Sequence, residues 1–152
     1  MFKISTALAN HIAVSGSLKG ALDGFVIRVY SGTEPATADA AIATPPTNVL
    51  LCTLSVDDTG TGGTFDGTPT GGILSKNSTE TWIGEIIANG TASFFRMVDP
   101  SDTGAESLLL NRLQGSVGLV NADFLVRDVV FVAGEGETQR VDSCNIGVPM
   151  SV

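Results

Sequence analysis

Residues 82–98 read WIGEIIANGTASFFRMV, and this stretch carries the clearest structural signal in the chain. Asn89-Gly90 is the preferred two-residue turn of a type I′ β-hairpin, and closing the chain there pairs Trp82 with Met97. One face then carries Trp82, Ile86, Phe95 and Met97, and the other carries Ile83, Glu85, Ile87, Phe94 and Arg96. Both faces are partly apolar. Such a hairpin lies either in a sandwich whose second face is also covered, or at a subunit contact.

Strand patterns continue on both sides of this stretch. Apolar residues and turn signals predict strands at residues 25–30, 49–56, 108–117, 124–132 and 138–148. A glycine-rich loop at residues 133–137 is expected to join the last two strands as a hairpin. About seven or eight strands separated by Gly, Pro, Asp and Asn turns predict a mainly β domain, an antiparallel β-sandwich or jelly roll.

The N-terminal residues are the one part with helical features. Ser5 is a suitable N-cap for a short helix, and Ser17 is suitable for a second turn that ends at Gly24. No linker or internal repeat divides the remainder. We therefore predict a single chain with an N-terminal helical arm at residues 1–24 and a β-sandwich domain at residues 25–152.

The composition excludes several classes of function. The chain has 152 residues, 16 acidic against 8 basic side chains, a formal net charge of −8, and only 16% charged residues, where about 25% is usual. Hydrophobic residues make up 43%, which is too many for a disordered chain. No apolar run is long enough to span a membrane. The negative charge disfavours nucleic acid, whose binding relies on Lys and Arg.

No catalytic or metal-binding constellation emerges from the residues. His11 is the sole histidine, so any Ser-His-Asp or Cys-His arrangement would depend on it. One histidine and two cysteines are too few for a standard structural zinc site, and we expect Cys52 in the core and both cysteines as free thiols. We predict neither enzymatic activity, cofactor nor metal.

Two acidic pairs and a glycine-rich loop are weaker candidates for binding sites. Asp57-Asp58, or Asp99 with Asp102, could bind calcium loosely, but neither pair matches the calcium-loop pattern, and solvated turn carboxylates are favoured. The glycines of residues 57–72 match no phosphate-binding motif, which indicates a surface loop.

Across residues 4–146 the order of segments resembles a family of small virion proteins of tailed bacteriophages and prophages. The resemblance is carried by ISTALANHI and LKGALDG, by VIRVYSGTEPATADAAI and LLCTLS, and by ILSKNSTETWIGEIIANGTASFFRMVD, LQGSVGLVNADFLV and VFVAGEGETQRVDS. The resemblance rests on the order of strand and turn segments, and it implies a β-rich component of the particle without an enzymatic site. Residues 42–48, which include Pro45-Pro46, depart from the family pattern.

These features lead to one main hypothesis of function. We expect a capsid decoration, or cement, protein on the outer surface of a phage head, made in the host cytoplasm and bridging neighbouring major capsid subunits. A tail, neck or fibre-attachment component of the virion is the first alternative. A carbohydrate-binding surface module that uses Trp82 or Tyr30 is the second.

The expected partners are the major capsid protein or other virion proteins, together with further copies of the chain in a dimer or trimer. The candidate contact regions are residues 1–8, the 57–72 loop and the second face of the hairpin. The candidate interface residues are Phe2, Leu8, Phe65, Phe94 and Arg96.

Overall fold

The computed structural model describes residues 1–147 and shows a mainly β fold. Two short helices, α1 (Thr6–Asn10) and α2 (Leu18–Leu22), flank a π-helix (His11–Ser15). Within the described residues the strands are β1 (Lys3–Ile4), β2 (Val26–Gly32), β3 (Asn48–Val56), β4 (Ile73–Ser75), β5 (Trp82–Glu85), β6 (Gly90–Val98), β7 (Arg112–Gly118), β8 (Phe124–Leu125), β9 (Val130–Phe131), β10 (Thr138–Val141) and β11 (Asn145–Gly147).

The strands form a folded antiparallel sheet. Its order is β1-β7-β6-β2-β3-β5-β10, with β8 parallel to β7, β9 antiparallel to β6, and β11 paired with β4 in a small second sheet. β3 is the corner of the fold, because it pairs with β2 along most of its length and with β5 at Ser55 and Val56. The predicted mainly β, antiparallel sandwich-type single domain is confirmed.

The predicted hairpin at residues 82–98 is wrong. β5 pairs with β3 and β10, whereas β6 pairs with β2, β7 and β9. Neither Asn89 nor Gly90 has the positive φ of a type I′ turn. The Ile87 amide donates to Leu51 O, and the Asn89 side chain accepts a hydrogen bond from Ala133 N. The chain therefore crosses between layers here, because partners from distant strands outweigh the local turn preference.

The other strand predictions hold to different degrees. β2 and β3 confirm the strands predicted at 25–30 and 49–56. The strand predicted at 108–117 begins only at Arg112, and the one predicted at 124–132 is broken into β8 and β9. The last one is divided into β10 and β11, and its residue 148 lies outside the described part of the chain. β9 and β10 do not pair, so residues 133–137 close no hairpin ladder.

Both predicted N-caps are confirmed, and the N-terminal residues join the core. Ser5 Oγ accepts from Leu8 N at 3.2 Å, and Ser17 Oγ accepts from Gly20 N at 3.0 Å. Leu8 and Leu22 are fully buried within the main hydrophobic cluster, and β1 extends the large sheet beside β7. Burial of these apolar side chains ties the helical segment to the sheet. The domain boundary at residue 24 stays a prediction.

Candidate functional site

The structure places four of the five candidate interface side chains inside the fold. Leu8, Phe65, Phe94 and Arg96 are between 0% and 3% exposed, and only Phe2, at 36%, reaches the surface. Phe2 packs edge-on against Phe95 with ring centroids 6.2 Å apart. The four buried side chains are held by contacts within the chain and present no surface to a partner. That the regions around them contact a partner stays a prediction.

Phe94 and Arg96 are buried because loops of the same chain cover the second face of β6. Phe94 stacks on Tyr30 of β2 with centroids 5.1 Å apart and planes at 10°. The covering loops are residues 33–43 and 99–107. Of the two explanations for a hairpin with two apolar faces, a second covered layer therefore applies to β6.

A layer of buried polar side chains holds these loops to the sheet. We call it the arginine layer, and it consists of the buried Arg96, Asp102, Arg112 and Gln114 together with the half-buried Arg28. Arg112 is fully buried and binds Asp102 through two parallel hydrogen bonds, Nε to Oδ2 at 2.6 Å and Nη2 to Oδ1 at 2.8 Å. This bidentate geometry is the strongest form of an arginine–carboxylate pair.

The remaining donors of Arg112 reach the backbone of both loops. Nη1 donates to Ala38 O and Asp39 O at 3.3 Å, and Nη2 donates to Ala105 O at 2.7 Å. Arg28 adds hydrogen bonds to Pro100 O, at 2.8 Å, and to the backbone oxygen of Asp102. The two loops are therefore fixed to the sheet by the same set of side chains.

Arg96 extends the layer through Gln114. Both Arg96 Nε and Nη2 donate to Gln114 Oε1, the former at 3.0 Å, and Arg96 Nη1 donates to Ala40 O at 3.0 Å. Gln114 Nε2 in turn donates to Pro35 O at 2.8 Å. Burial, with the charge of Arg112 nearby, lowers the pKa of Arg96 to about 10. The guanidinium therefore stays charged at neutral pH.

Asp102 also stays charged. Burial raises the pKa of its carboxyl group, but hydrogen bonds from Arg112 and the Gly104 amide lower it, and the net pKa is below the ordinary value. The expectation of a solvated turn carboxylate is wrong for Asp102, which is 4% exposed and bound to Arg112. Among residues 1–147 no buried side-chain nitrogen or oxygen lacks a hydrogen-bond partner. The arginine layer thus has the character of a structural support for the loops.

Three consecutive leucines are exposed at the end of the supported loops. We call Leu108, Leu109 and Leu110 the leucine patch; they are 61%, 89% and 38% exposed. Ser107 N donates to Asp39 O at 2.9 Å, Leu109 N donates to the Ser107 hydroxyl, and Ser5 Oγ donates to Leu110 O at 2.8 Å. The patch is therefore held in place by the backbone around it.

The groups considered for metal binding are not assembled in the described part of the chain. Within residues 1–147 no three His, Cys, Asp or Glu side chains are placed to hold a metal ion together. Cys52 is buried in the core and Cys144 is half-buried; both are free, as predicted. Burial raises the pKa of the Cys52 thiol to about 12 and that of Cys144 to about 11. None of the helices in this part of the chain has the length and apolar character needed to cross a membrane.

The aromatic side chains proposed to stack on a sugar are buried. Trp82 is 3% exposed and Tyr30 is 7% exposed. Trp82 packs edge-on against Phe65 at 5.5 Å, and its Nε1 donates to a Glu80 carboxylate oxygen at 2.7 Å. Phe65 thus anchors the 57–72 loop in the core instead of lying on its surface. Neither Trp82 nor Tyr30 offers a ring face to a glycan.

A cleft of about 850 Å³ opens between the segment at residues 124–132 and β10. We refer to it as the cleft. Its apolar lining includes Ile86, Val126, Phe131 and Val141, each of which is at most 8% exposed. Charged side chains line its edges, and Arg127 Nη2 lies 3.7 Å from Asp142 Oδ2. The cleft is a second surface feature besides the leucine patch.

Sequence reasoning missed both features. It assigned residues 108–110 to a strand, although three adjacent leucines break the alternation of a strand with one exposed face. Nothing in the local sequence shows that distant loops cover the face of β7 that carries Arg112 and Gln114. The cleft could not be seen, because the two strands beside it were expected to pair.

Comparison with protein-family models, with characterised proteins and with solved structures finds no match to this chain.

Proposed function

We propose that this protein is a structural, protein-binding component of a virion, and specifically a decoration protein on the outer surface of a phage head. The observation that carries the proposal is the leucine patch. Leu108 and Leu109 are mostly exposed, yet the loop that presents them is fixed by hydrogen bonds and by the arginine layer. A fixed apolar surface of this kind loses little conformational entropy when a partner covers it.

The energetics favour coverage by another protein. Fully burying one leucine side chain contributes about 1.5–3 kcal/mol. Runs of three exposed apolar residues in a polar loop are otherwise unfavourable for a soluble surface. A contact of this size is weak for one copy, but a shell repeats it at every symmetry-related position. Repetition on a shell therefore makes a small patch effective.

Charge supports the outer surface as the location. The chain has a formal net charge of −8, and packaged DNA would repel an acidic lining on the inside of the shell. The resemblance of the sequence to small virion proteins points to the same setting. The major capsid protein is the proposed partner.

Co-sedimentation with purified phage heads tests the role of the patch. We expect the double variant Leu108→Ser/Leu109→Ser to lose at least about tenfold in head binding, equivalent to 1.4 kcal/mol, while its thermal stability stays within a few degrees of the wild type. Val120→Ser is the matched control, because Val120 is 74% exposed and lies outside the patch. Equal binding by the double variant and the wild type would exclude the patch as the contact.

The number of copies in purified particles tests the location. Head decoration requires hundreds of copies, in proportion to the capsid subunits, whereas a tail or neck component is present in tens or fewer. Quantitative gel densitometry against the major capsid protein distinguishes these outcomes. A count in the tens would replace the head with the tail or neck as the site.

A further inference from the structure

The two strand edges that border the cleft face each other without pairing. β10 is the last strand of the large sheet and pairs with β5 only. On the opposite side, β8 pairs with β7 and β9 pairs with β6. Residues 133–137 connect the two sides, so the cleft lies between the arms of what would otherwise be a hairpin. Within residues 1–147 no strand occupies the space between these edges.

Backbone groups of β10 are directed into the cleft. The Ile86 amide donates to Glu137 O, and this bond fixes which residues of β10 form hydrogen bonds with β5. Since alternate residues of an antiparallel pair direct their N–H and C=O groups to opposite sides, Thr138 and Arg140 point theirs away from β5. An unpaired strand edge of this kind is a template for another strand.

The opposite side uses its inner edge for the fold; on its outer edge the Val130 amide donates to the exposed Asp128 side chain at 2.8 Å, which an incoming strand would displace. Val126 N donates to Gly118 O of β7, and Ala92 N of β6 donates to Val129 O. Beside the cleft, Leu125, Val130 and Val132 are 57–60% exposed. The cleft therefore combines two backbone edges, a buried apolar floor and an exposed apolar margin.

We propose that the cleft binds one extended strand from the partner protein, which pairs with both edges and closes the sheet. Apolar side chains at alternate positions of that strand would cover Val126, Phe131 and Val141, and the intervening ones would face solvent. The inference rests on the proposed function in one respect, since the major capsid protein is taken as the source of the strand.

A second copy of the chain is a poorer occupant. If two copies met in a two-fold contact, the β10 strand of one copy would pair with the β10 strand of the other. The opposite edge of each cleft would then stay open. Each copy also carries a formal net charge of −8, which opposes self-association. β8 and β9 run opposite to β10, because five antiparallel pairings around the large sheet separate each of them from β10. The inserted strand is thus antiparallel to one side and parallel to the other.

Binding of a backbone-modified peptide tests the proposal on the full chain. The probe is a short acetylated and amidated peptide in which Val and Thr alternate between terminal lysines, with a fluorophore for anisotropy. We expect saturable binding with one peptide per chain. N-methylation removes amide donors, and methylating either the odd-numbered or the even-numbered residues should weaken binding about tenfold or more, because several hydrogen bonds are lost at each edge.

Each other pattern contradicts the proposal. If only one of the two methylated sets is affected, the peptide adds to a single edge and does not fill the cleft. If neither set is affected, the peptide adsorbs through its side chains alone. If the unmodified peptide does not bind, or if amide exchange shows Thr138 and Arg140 already protected in the isolated chain, the cleft is no acceptor for a partner strand.

A variant of the chain supplies the matched control. Arg140→Pro removes the amide that faces the cleft and should lower peptide affinity at least about tenfold, whereas Arg140→Ala keeps this amide and should bind as the wild type does. Wild-type affinity in folded Arg140→Pro would overturn the proposal, and if that variant does not fold the methylated peptides decide. Leu108→Ser/Leu109→Ser should bind the peptide normally. If the peptide does not bind, but binding to phage heads still depends on the leucine patch, this inference is refuted and the proposed function is not.

Discussion

The Arg112 side chain makes five hydrogen bonds, two to Asp102 and three to backbone carbonyl oxygens of the covering loops. The planar guanidinium group suits this role, because its five N–H donors point in fixed directions and the group stays charged at any physiological pH. A lysine at the same position could match neither the bidentate geometry nor the number of loop contacts. One residue thus connects β7 to both loops and, through them, to the leucine patch.

Removing this residue should destabilise the fold strongly. We expect Arg112→Ala to lower the free energy of unfolding by about 3–5 kcal/mol, because Asp102 is then buried without a partner. Arg127→Ala is the control, since Arg127 is 95% exposed and its pair with Asp142 contributes at most about 1 kcal/mol. Urea denaturation followed by circular dichroism measures both. Similar losses in the two variants would contradict the structural role of the arginine layer.

At the scale of elements, β5 and the 57–72 loop depend on one close contact. Gly63 exchanges backbone hydrogen bonds with the chain at Gly24 and Phe25, and it lies against the Trp82 ring. A Cβ atom on Gly63 would stand 2.1 Å from Trp82 Cε2. The loop therefore runs directly over the indole, and only glycine leaves room for it.

Alanine substitutions in this loop distinguish the effect of close packing at Gly63 on stability from the effect of a less flexible backbone. Gly63→Ala should lower stability by about 1–3 kcal/mol through overpacking against the Trp82 ring. Gly67→Ala lies in the same loop with open space around the added Cβ, and its effect should stay within about 0.5 kcal/mol. Thermal unfolding monitored by tryptophan fluorescence measures the difference. Equal melting temperatures for the two variants would refute the close contact.

At the scale of the whole molecule, acidic groups link stability to pH. Hydrogen bonds from Ser101 lower the pKa of Asp99. Burial raises the pKa of Asp102 and of Glu80, but hydrogen bonds from Arg112 and from Thr64, respectively, lower both below their ordinary values. These carboxylates bind protons less tightly in the folded than in the unfolded chain. Their contribution is therefore complete above the unfolded pKa of about 4 and disappears as the pH falls through the folded pKa.

Asp102→Asn isolates the contribution of the most buried of these carboxylates to the pH dependence of stability. The variant should be less stable than the wild type at pH 7, because Arg112 loses its charged partner. As the pH falls below about 4, Asp102 is protonated first in the unfolded chain and, at still lower pH, in the folded wild type, so the two stability curves should converge. Urea unfolding at a series of pH values provides the curves. Parallel curves across the acid range would show that Asp102 does not titrate with a lowered pKa.

The local sequence by itself determined the mainly β character, the course of β2 and β3, both serine N-caps and the burial of Cys52. These features depend on alternation and on hydrogen bonds between near neighbours, which a short stretch of sequence contains. Even within β3 a bulge opposite Val29 and Tyr30 buries Leu51 beside Cys52, which simple alternation does not predict.

Only the tertiary structure decided which strands pair and which faces are covered. Asn89-Gly90 favours a hairpin locally, but β5 and β6 each gain partners far away in the chain, and those contacts prevail. Phe94 and Arg96 are buried by loops that sequence periodicity cannot place, whereas Leu109 is left at the surface. The candidate surfaces therefore emerged from long-range contacts, because exposure is a property of what the rest of the chain leaves uncovered.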